Sequence, residues 1–127
     1  STEAVNEHYS TIKITAGLPI IFTSALLNKK PKEIKNIISK VLNLEIAQEK
    51  KVRAGKGKRR GRRYKKRNIV LFVTASTEKK VLLSNYGIDV VPVNQLTIRK
   101  LAPGGVPGRI TIYTEKAINE LQSRFGK

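Results

Sequence analysis

The sequence predicts an α/β fold: a three-layer sandwich with helices on both faces of a mainly parallel sheet of about four strands, Rossmann-like, plus an extended basic loop. Three observations carry this. Residues 69–75 (IVLFVTA) are apolar on both faces, as a strand buried between layers should be. A helix-like stretch and a second short strand follow within about 25 residues, and a strand–helix–strand unit implies a parallel pair. Apolar stripes at helical spacing flank this unit on either side.

The elements follow in chain order. Residues 1–17 are polar and support no assignment. Residues 18–23 (LPIIFT) form a short apolar run, a candidate buried strand. Residues 31–43 (PKEIKNIISKVLN) read as a helix. Pro31 suits its first position, and Ile34, Ile37, Ile38, Val41 and Leu42 share one face. Residues 50–67 have glycines, charge and no apolar periodicity, so they read as an extended loop. After strand 69–75, Ser76 is a candidate cap for a helix over 77–86, with Val81, Leu82 and Tyr86 inward and Gly87 as the stop. Residues 88–93 (IDVVPV) are the next strand, and Asn94 is a candidate cap for a short turn through Leu101. The loop 102–108 (APGGVPG) leads into strand 109–113 (RITIY). Thr114 then caps a last helix. Glu115 sits favourably in its first turn, Ala117, Ile118, Leu121 and Phe125 form its stripe, and Gly126 ends it. Together these make one α/β domain over residues 1–127.

Charge is the feature that narrows function. Of 127 residues, 26 are Lys or Arg and 9 are Asp or Glu, a net charge of +17. Residues 50–67 hold 12 of the basic residues and no acid, which leaves 26 − 12 = 14 against 9 elsewhere, or +5. Concentrated charge of this kind is the footprint of a surface for a polyanion. Arginine forks bind phosphate through paired hydrogen bonds, and lysines add point charge. Gly55, Gly57 and Gly61 let the backbone approach closely, and Tyr64 offers a face on which an unpaired base can stack. If about six of these charges meet phosphates, affinity falls with salt at a log–log slope of roughly −4 to −5. A solvated helical face would interleave acids and apolar residues, and an interfacial membrane helix would need an apolar face; this run has neither. Nor does GKGKRRGRR fit a phosphate-binding nucleotide loop, since the spacing is wrong and it precedes a strand.

Other chemistry finds little support. There is no cysteine, hence no disulfide, thiolate nucleophile or zinc finger. No apolar run approaches the length of a membrane span, and the polar, acidic start is not that of a secretory leader. His8 is the only histidine and stands alone in a polar segment, an incidental surface residue. Asp89 has no second carboxylate nearby, so acid–base catalysis has no candidate pair. No catalytic residue, metal site or cofactor is expected. The loop 101–109 (LAPGGVPGR) has two readings: a rigid connection, or backbone laid on RNA with charge from Arg99, Lys100 and Arg109.

Two separated motifs carry a resemblance. Arg53, Ala54, Gly55, Lys56, Gly57, Arg60, Arg62 and Arg63 match an R-A-G-K-G-x-x-R-x-R-R-type segment that precedes a sheet strand. Leu101, Ala102, Pro103, Gly104, Gly108, Arg109, Thr114, Glu115 and Ala117 match a later L-A-P-G…G-R…W-T-E-x-A segment. In this order, with a strand–helix–strand unit between them, they resemble the archaeal and eukaryotic form of large-subunit ribosomal protein four. The match is strong over residues 50–121 and loose before that. One departure is Tyr113, where the family commonly has Trp.

The resemblance implies a structural constituent of the large ribosomal subunit, in the cytoplasm, with ribosomal RNA and neighbouring ribosomal proteins as partners. The family is about twice this length, so the chain resembles its C-terminal portion, either as a split product whose first half is a separate chain or as a fragment. A sheet edge or face left incomplete by the missing half would make the isolated chain poorly stable. The residues expected to bind RNA are Arg53, Lys56, Lys58, Arg59, Arg60, Arg62, Arg63, Tyr64, Lys65, Lys66 and Arg67, with Arg99, Lys100 and Arg109. Two readings stand beside this one: an extraribosomal nucleic-acid-binding or DNA-compacting protein, and a small nucleotide-dependent enzyme. The enzyme lacks a G-x-G-x-x-G opening a helix after a strand.

Overall fold

The computed structural model describes residues 2–8, 17–46 and 49–126, without the side chains of Thr2, His8, Glu49, Lys66 and Arg67. The expected surface position of His8 therefore lies outside the described side chains. The described residues form six strands and four α-helices: α1 (Thr2–His8), β1 (Ile20–Phe22), α2 (Pro31–Leu42), β2 (Glu49–Val52), β3 (Tyr64–Arg67), β4 (Val70–Thr74), β5 (Ile88–Pro92), α3 (Ile98–Leu101), β6 (Thr111–Thr114) and α4 (Glu115–Phe125).

Four strands form one sheet in the order β1-β6-β4-β5, every neighbouring pair parallel. The expected α/β sandwich is therefore present, with a sheet that is wholly parallel. Register explains its two faces. Ile20, Ile112, Phe72 and Val90 lie in one row across the four strands. They belong to the larger core with Ile34, Ile38 and Leu42 of α2. The next row is Ile21, Tyr113, Val73 and Val91, on the opposite face because successive side chains alternate. There Leu71, Val73, Val91 and Val93 pack on Ala117 and Leu121 of α4. Every residue of β4 is buried, as a strand between two helical layers requires. At the sheet edge, Ile21 is 47% exposed.

The helix α2 starts at Pro31 and stops where Asn43 turns left-handed at φ 48°. Ile34, Ile38 and Leu42 are buried, whereas Val41 is exposed, so the inward stripe is narrower than the sequence implied. Thr114 caps α4 as expected, its Oγ1 accepting from the Ala117 amide at 3.2 Å. Ala117 is fully buried, but Phe125 is 70% exposed and takes no part in the stripe. The helix crosses the carboxyl ends of the strands. It starts on β6, Glu120 accepts from Ser76 just after β4, and Arg124 Nη1 donates to the Val93 carbonyl just after β5 at 3.1 Å.

Three expectations are corrected. No helix forms over 77–86; a turn and a short 3-10 helix at Ser84–Tyr86 occupy the crossover instead. The cause is visible at its start. Ser76, the expected cap, gives its amide to Glu120 at 2.8 Å, and Glu78 turns back to accept from the Ala75 amide and the Thr114 hydroxyl, both at 2.8 Å. These tertiary bonds outweigh a weak local preference for helix. Leu82, expected inward, is 83% exposed, and Leu83 is buried in its place. The turn after β5 is not capped by Asn94; a short 3-10 helix covers Val93–Gln95 and α3 follows Thr97. The basic segment is the third correction: much of it is an antiparallel ribbon of β2 and β3. The start of the chain, unassigned from sequence, contributes α1 and the buried Val5.

Candidate nucleic-acid interface

The ribbon is separate from the parallel sheet and has its own pairing: Lys50 opposite Lys66, Lys51 opposite Lys65 and Val52 opposite Tyr64. The Arg53 amide extends it by donating to the Arg63 carbonyl at 2.9 Å, and Arg53 Nε donates to the Tyr64 carbonyl at 3.3 Å. The tip is compact. A 3-10 turn covers Lys56–Arg59, and the amides of Arg60 and Arg62 both donate to the Gly57 carbonyl. Gly55 and Gly61 bracket the tip at φ 80° and 75°. A Cβ at either would meet nothing within 4 Å, so their backbone conformation, rather than lack of space, calls for glycine.

Arg53, Lys56, Lys58, Arg59, Arg60, Arg62, Arg63, Tyr64 and Lys65 are all exposed. Lys66 and Arg67 continue β3, with side chains outside the described set. No described carboxylate side chain pairs with an arm cation; at the foot of the ribbon the register sets Glu49 opposite Arg67, both with side chains outside the described set. Gly55, Lys56, Lys58 and Arg59 line an open depression of about 270 Å³. The guanidinium of Arg63 stands 5.7 Å from the centroid of the Tyr64 ring.

The ribbon is in tension with itself. Its register sets lysine opposite lysine at two successive pairs, and like charges directly across a ribbon destabilise it. Two isolated strands are marginal in water even without such repulsion. Anions that neutralise these charges would therefore favour the folded ribbon.

The three basic residues expected near the glycine-rich loop divide. Arg99 is exposed on α3. Lys100 Nζ pairs with Asp89 Oδ2 at 2.9 Å while its side chain stays 44% exposed. Arg109 turns inward, with a side chain only 6% exposed. It donates to the carbonyls of Lys100 at 2.7 Å and Asn68 at 3.1 Å, and lies 3.6 Å from Asp89 Oδ2. Asn68 joins β3 to β4, so Arg109 ties the root of the ribbon to α3 and the sheet. The geometry makes Arg109 a support for the arm; its charge is taken up inside the protein. One signal in the sequence pointed this way: a lone acid in an apolar strand, Asp89, calls for a cation beside it.

Carboxylates at the opposite edge of the sheet are also occupied. Burial alone would raise the Glu78 carboxyl, but hydrogen bonds from Ser24, Ala75 and Thr114, with the Lys116 charge nearby, hold it below its ordinary 4.5. Bonds from the Ser76 hydroxyl and amide lower Glu120 in the same way. The carboxyl edge of a parallel sheet is where such folds commonly bind ligands. Here two of its donor groups, the amides of Ala75 and Ser76, are satisfied by the chain's own glutamates.

Comparison with known proteins bears out the resemblance and extends it beyond the two motifs. The chain is 41% identical over 128 residues to a large ribosomal subunit protein uL4 from Thermoplasma volcanium, covering 96% of this chain and 50% of that protein. It is 41% identical over 132 residues to the Thermoplasma acidophilum protein of the same name, with the same shares covered. The Methanocaldococcus jannaschii protein of that name is 40% identical over 118 residues, 87% of this chain and 47% of its own. The chain thus spans about half the length of the curated relatives it matches. No family model matches it.

Proposed function

We propose, for a chain homologous over nearly its whole length to about half of the archaeal uL4 proteins, that it is a structural component of the large ribosomal subunit and binds ribosomal RNA through the basic ribbon. One observation carries the reading. The ribbon presents its described cations to solvent and sets lysine against lysine at two successive pairs, with Glu49 set opposite Arg67 at its foot. Such an element is stabilised by an anionic partner more than by its own contacts.

The work divides between two parts. The sheet and its helices form a scaffold that fixes where the ribbon emerges. The ribbon supplies Arg53, Lys56, Lys58, Arg59, Arg60, Arg62, Arg63, Lys65, Lys66 and Arg67 to phosphates, with Arg99 and Lys100 adding charge from the scaffold. Arginines contribute paired hydrogen bonds, and the positive-φ glycines keep the tip narrow enough to enter between RNA helices. Neutralised phosphates there can approach more closely than repulsion would otherwise allow. Its partners are then ribosomal RNA, neighbouring ribosomal proteins and, where it is separate, a chain supplying the other half; its place is the cytoplasmic ribosome.

The test is a salt titration with structured RNA and duplex DNA competing at equal phosphate concentration. The expected result is preference for RNA and a log–log slope of roughly −4 to −5. Preference for DNA would favour a nucleic-acid-compacting role outside the ribosome. Salt-independent or absent binding would overturn the assignment of the ribbon. Intact-mass spectrometry of high-salt-washed large subunits gives an independent check, with a species near 14.2 kDa expected if the chain assembles as a separate polypeptide.

A further inference from the structure

Within the ribbon, Val52 and Tyr64 stand apart from everything around them. From residue 50 to 67 the large apolar side chains are these two alone, twelve residues apart in sequence, and the register sets them directly opposite one another. Side chains at directly opposed positions share a face and lie in contact range. Val52 is 55% exposed and Tyr64 50%, and neither belongs to either hydrophobic core. The pair is thus an apolar platform on the outside of the most highly charged element of the molecule, and folding of the sheet does not require it.

We propose that this platform binds an unpaired nucleobase, so that the arm recognises RNA carrying a bulged or looped-out nucleotide in addition to phosphate charge. The inference rests on the RNA-binding reading of the ribbon and adds a ligand class to it. Two observations favour a nucleotide as the occupant. A nucleotide carries a flat apolar base a few ångströms from its own phosphate. The platform offers the complement: an aromatic ring with the Arg63 guanidinium 5.7 Å from its centroid. Its backbone is also anchored, because Arg53 donates to the carbonyls of both Arg63 and Tyr64. Anchoring reduces the ordering cost on binding. A fully paired helix keeps its bases stacked and exposes only phosphates and groove edges, so it meets the cations but leaves the platform empty.

The test compares two RNA hairpins of equal phosphate count, one fully paired and one with a single bulged adenosine, binding the whole chain at fixed salt. The bulged hairpin is expected to bind about tenfold more tightly, the effect of roughly one stacked base. Tyr64→Ala should abolish that difference and leave affinity for the paired hairpin and the salt slope unchanged. Tyr64→Phe should retain it, and an abasic site at the bulge should mimic Tyr64→Ala with the unaltered protein. Equal binding of both hairpins by the unaltered protein, with a steep salt slope, would overturn the platform and leave the ribbon's electrostatic role standing. Loss of paired and bulged binding alike in Tyr64→Ala would also overturn it, because the side chain would then be supporting the ribbon. Absence of salt-dependent binding to either hairpin would remove the reading on which the platform rests.

Discussion

Arg63 and Arg109 are the same side chain in opposite surroundings. Arg63 lies on the ribbon, exposed, with an aromatic ring beside it and no carboxylate among the described residues. Arg109 is 6% exposed and shared among two carbonyls and Asp89. The contrast extends to the regions that hold them. In the sheet, charge is matched: Asp89 meets two cations, and Glu78 and Glu120 meet hydroxyls and amides at the strand ends. In the ribbon, lysine faces lysine. Electrostatics is satisfied internally in the sheet, whereas the ribbon's charge awaits an external counterpart.

The strongest way to break this contrast is to remove the ribbon's charge. Replacing Lys58, Arg59, Arg60, Arg62, Arg63 and Lys65 by Gln should lower RNA affinity about a thousandfold near physiological salt and flatten the salt slope to what Arg53, Lys56, Lys66, Arg67 and the scaffold cations supply. Unfolding stability should stay within about 0.5 kcal/mol of the original, because these side chains are exposed and make no ion pairs among the described residues. Denaturant melts run beside the RNA titrations would show it. A large stability loss would mean that the ribbon belongs to the folding unit.

The complementary change is Arg109→Ala. It leaves Asp89 with Lys100 alone and removes the tie between the ribbon's root and the sheet, so stability should fall by about 3 kcal/mol. The salt slope of the folded protein should be unchanged, since this guanidinium is not available to phosphate. A flatter slope with unaltered stability would reverse the roles assigned to the two arginines.

The smallest effect concerns pH and sharpens the picture of the sheet. Glu78 and Glu120 are held below the ordinary carboxylate value in the folded protein. Groups with a depressed folded value contribute stability above their unfolded value, and lose it as pH falls through the folded one. Stability should therefore decline on acidification below about 4.5, the ordinary value for Glu78. Glu78→Gln should flatten that decline, and urea melts across the acid range would measure it. An unchanged acid slope in Glu78→Gln would show that this carboxyl is not stabilised by the bonds at the strand ends.

How much of this was legible in the sequence depended on the range of the interaction. The apolar run at 69–75, the stripe on α2 and the Thr114 cap are local patterns, and each appears where it was read, Val41 of the stripe excepted. The crossover 77–86 has a helix-like pattern too, yet Glu78 and Ser76 are drawn to Thr114 and Glu120, some 40 residues away in the chain. Periodicity carries no signal for such partners. The same limit applies to Phe125, whose spacing fits the α4 stripe although its side chain is exposed.

By itself the sequence determined the α/β class, the parallel β4–β5 pair and the place where positive charge gathers, because hydrophobic period and charge density are properties of neighbouring residues. Tertiary structure alone decided which cations remain outside. Arg109 and Arg63 are equally basic on paper; the approach of Asp89, Asn68 and Lys100 buries one, and the antiparallel register leaves the other on the surface. That register also brings Val52 against Tyr64, because side-chain contact across a ribbon depends on pairing, which the eleven residues between them do not reveal.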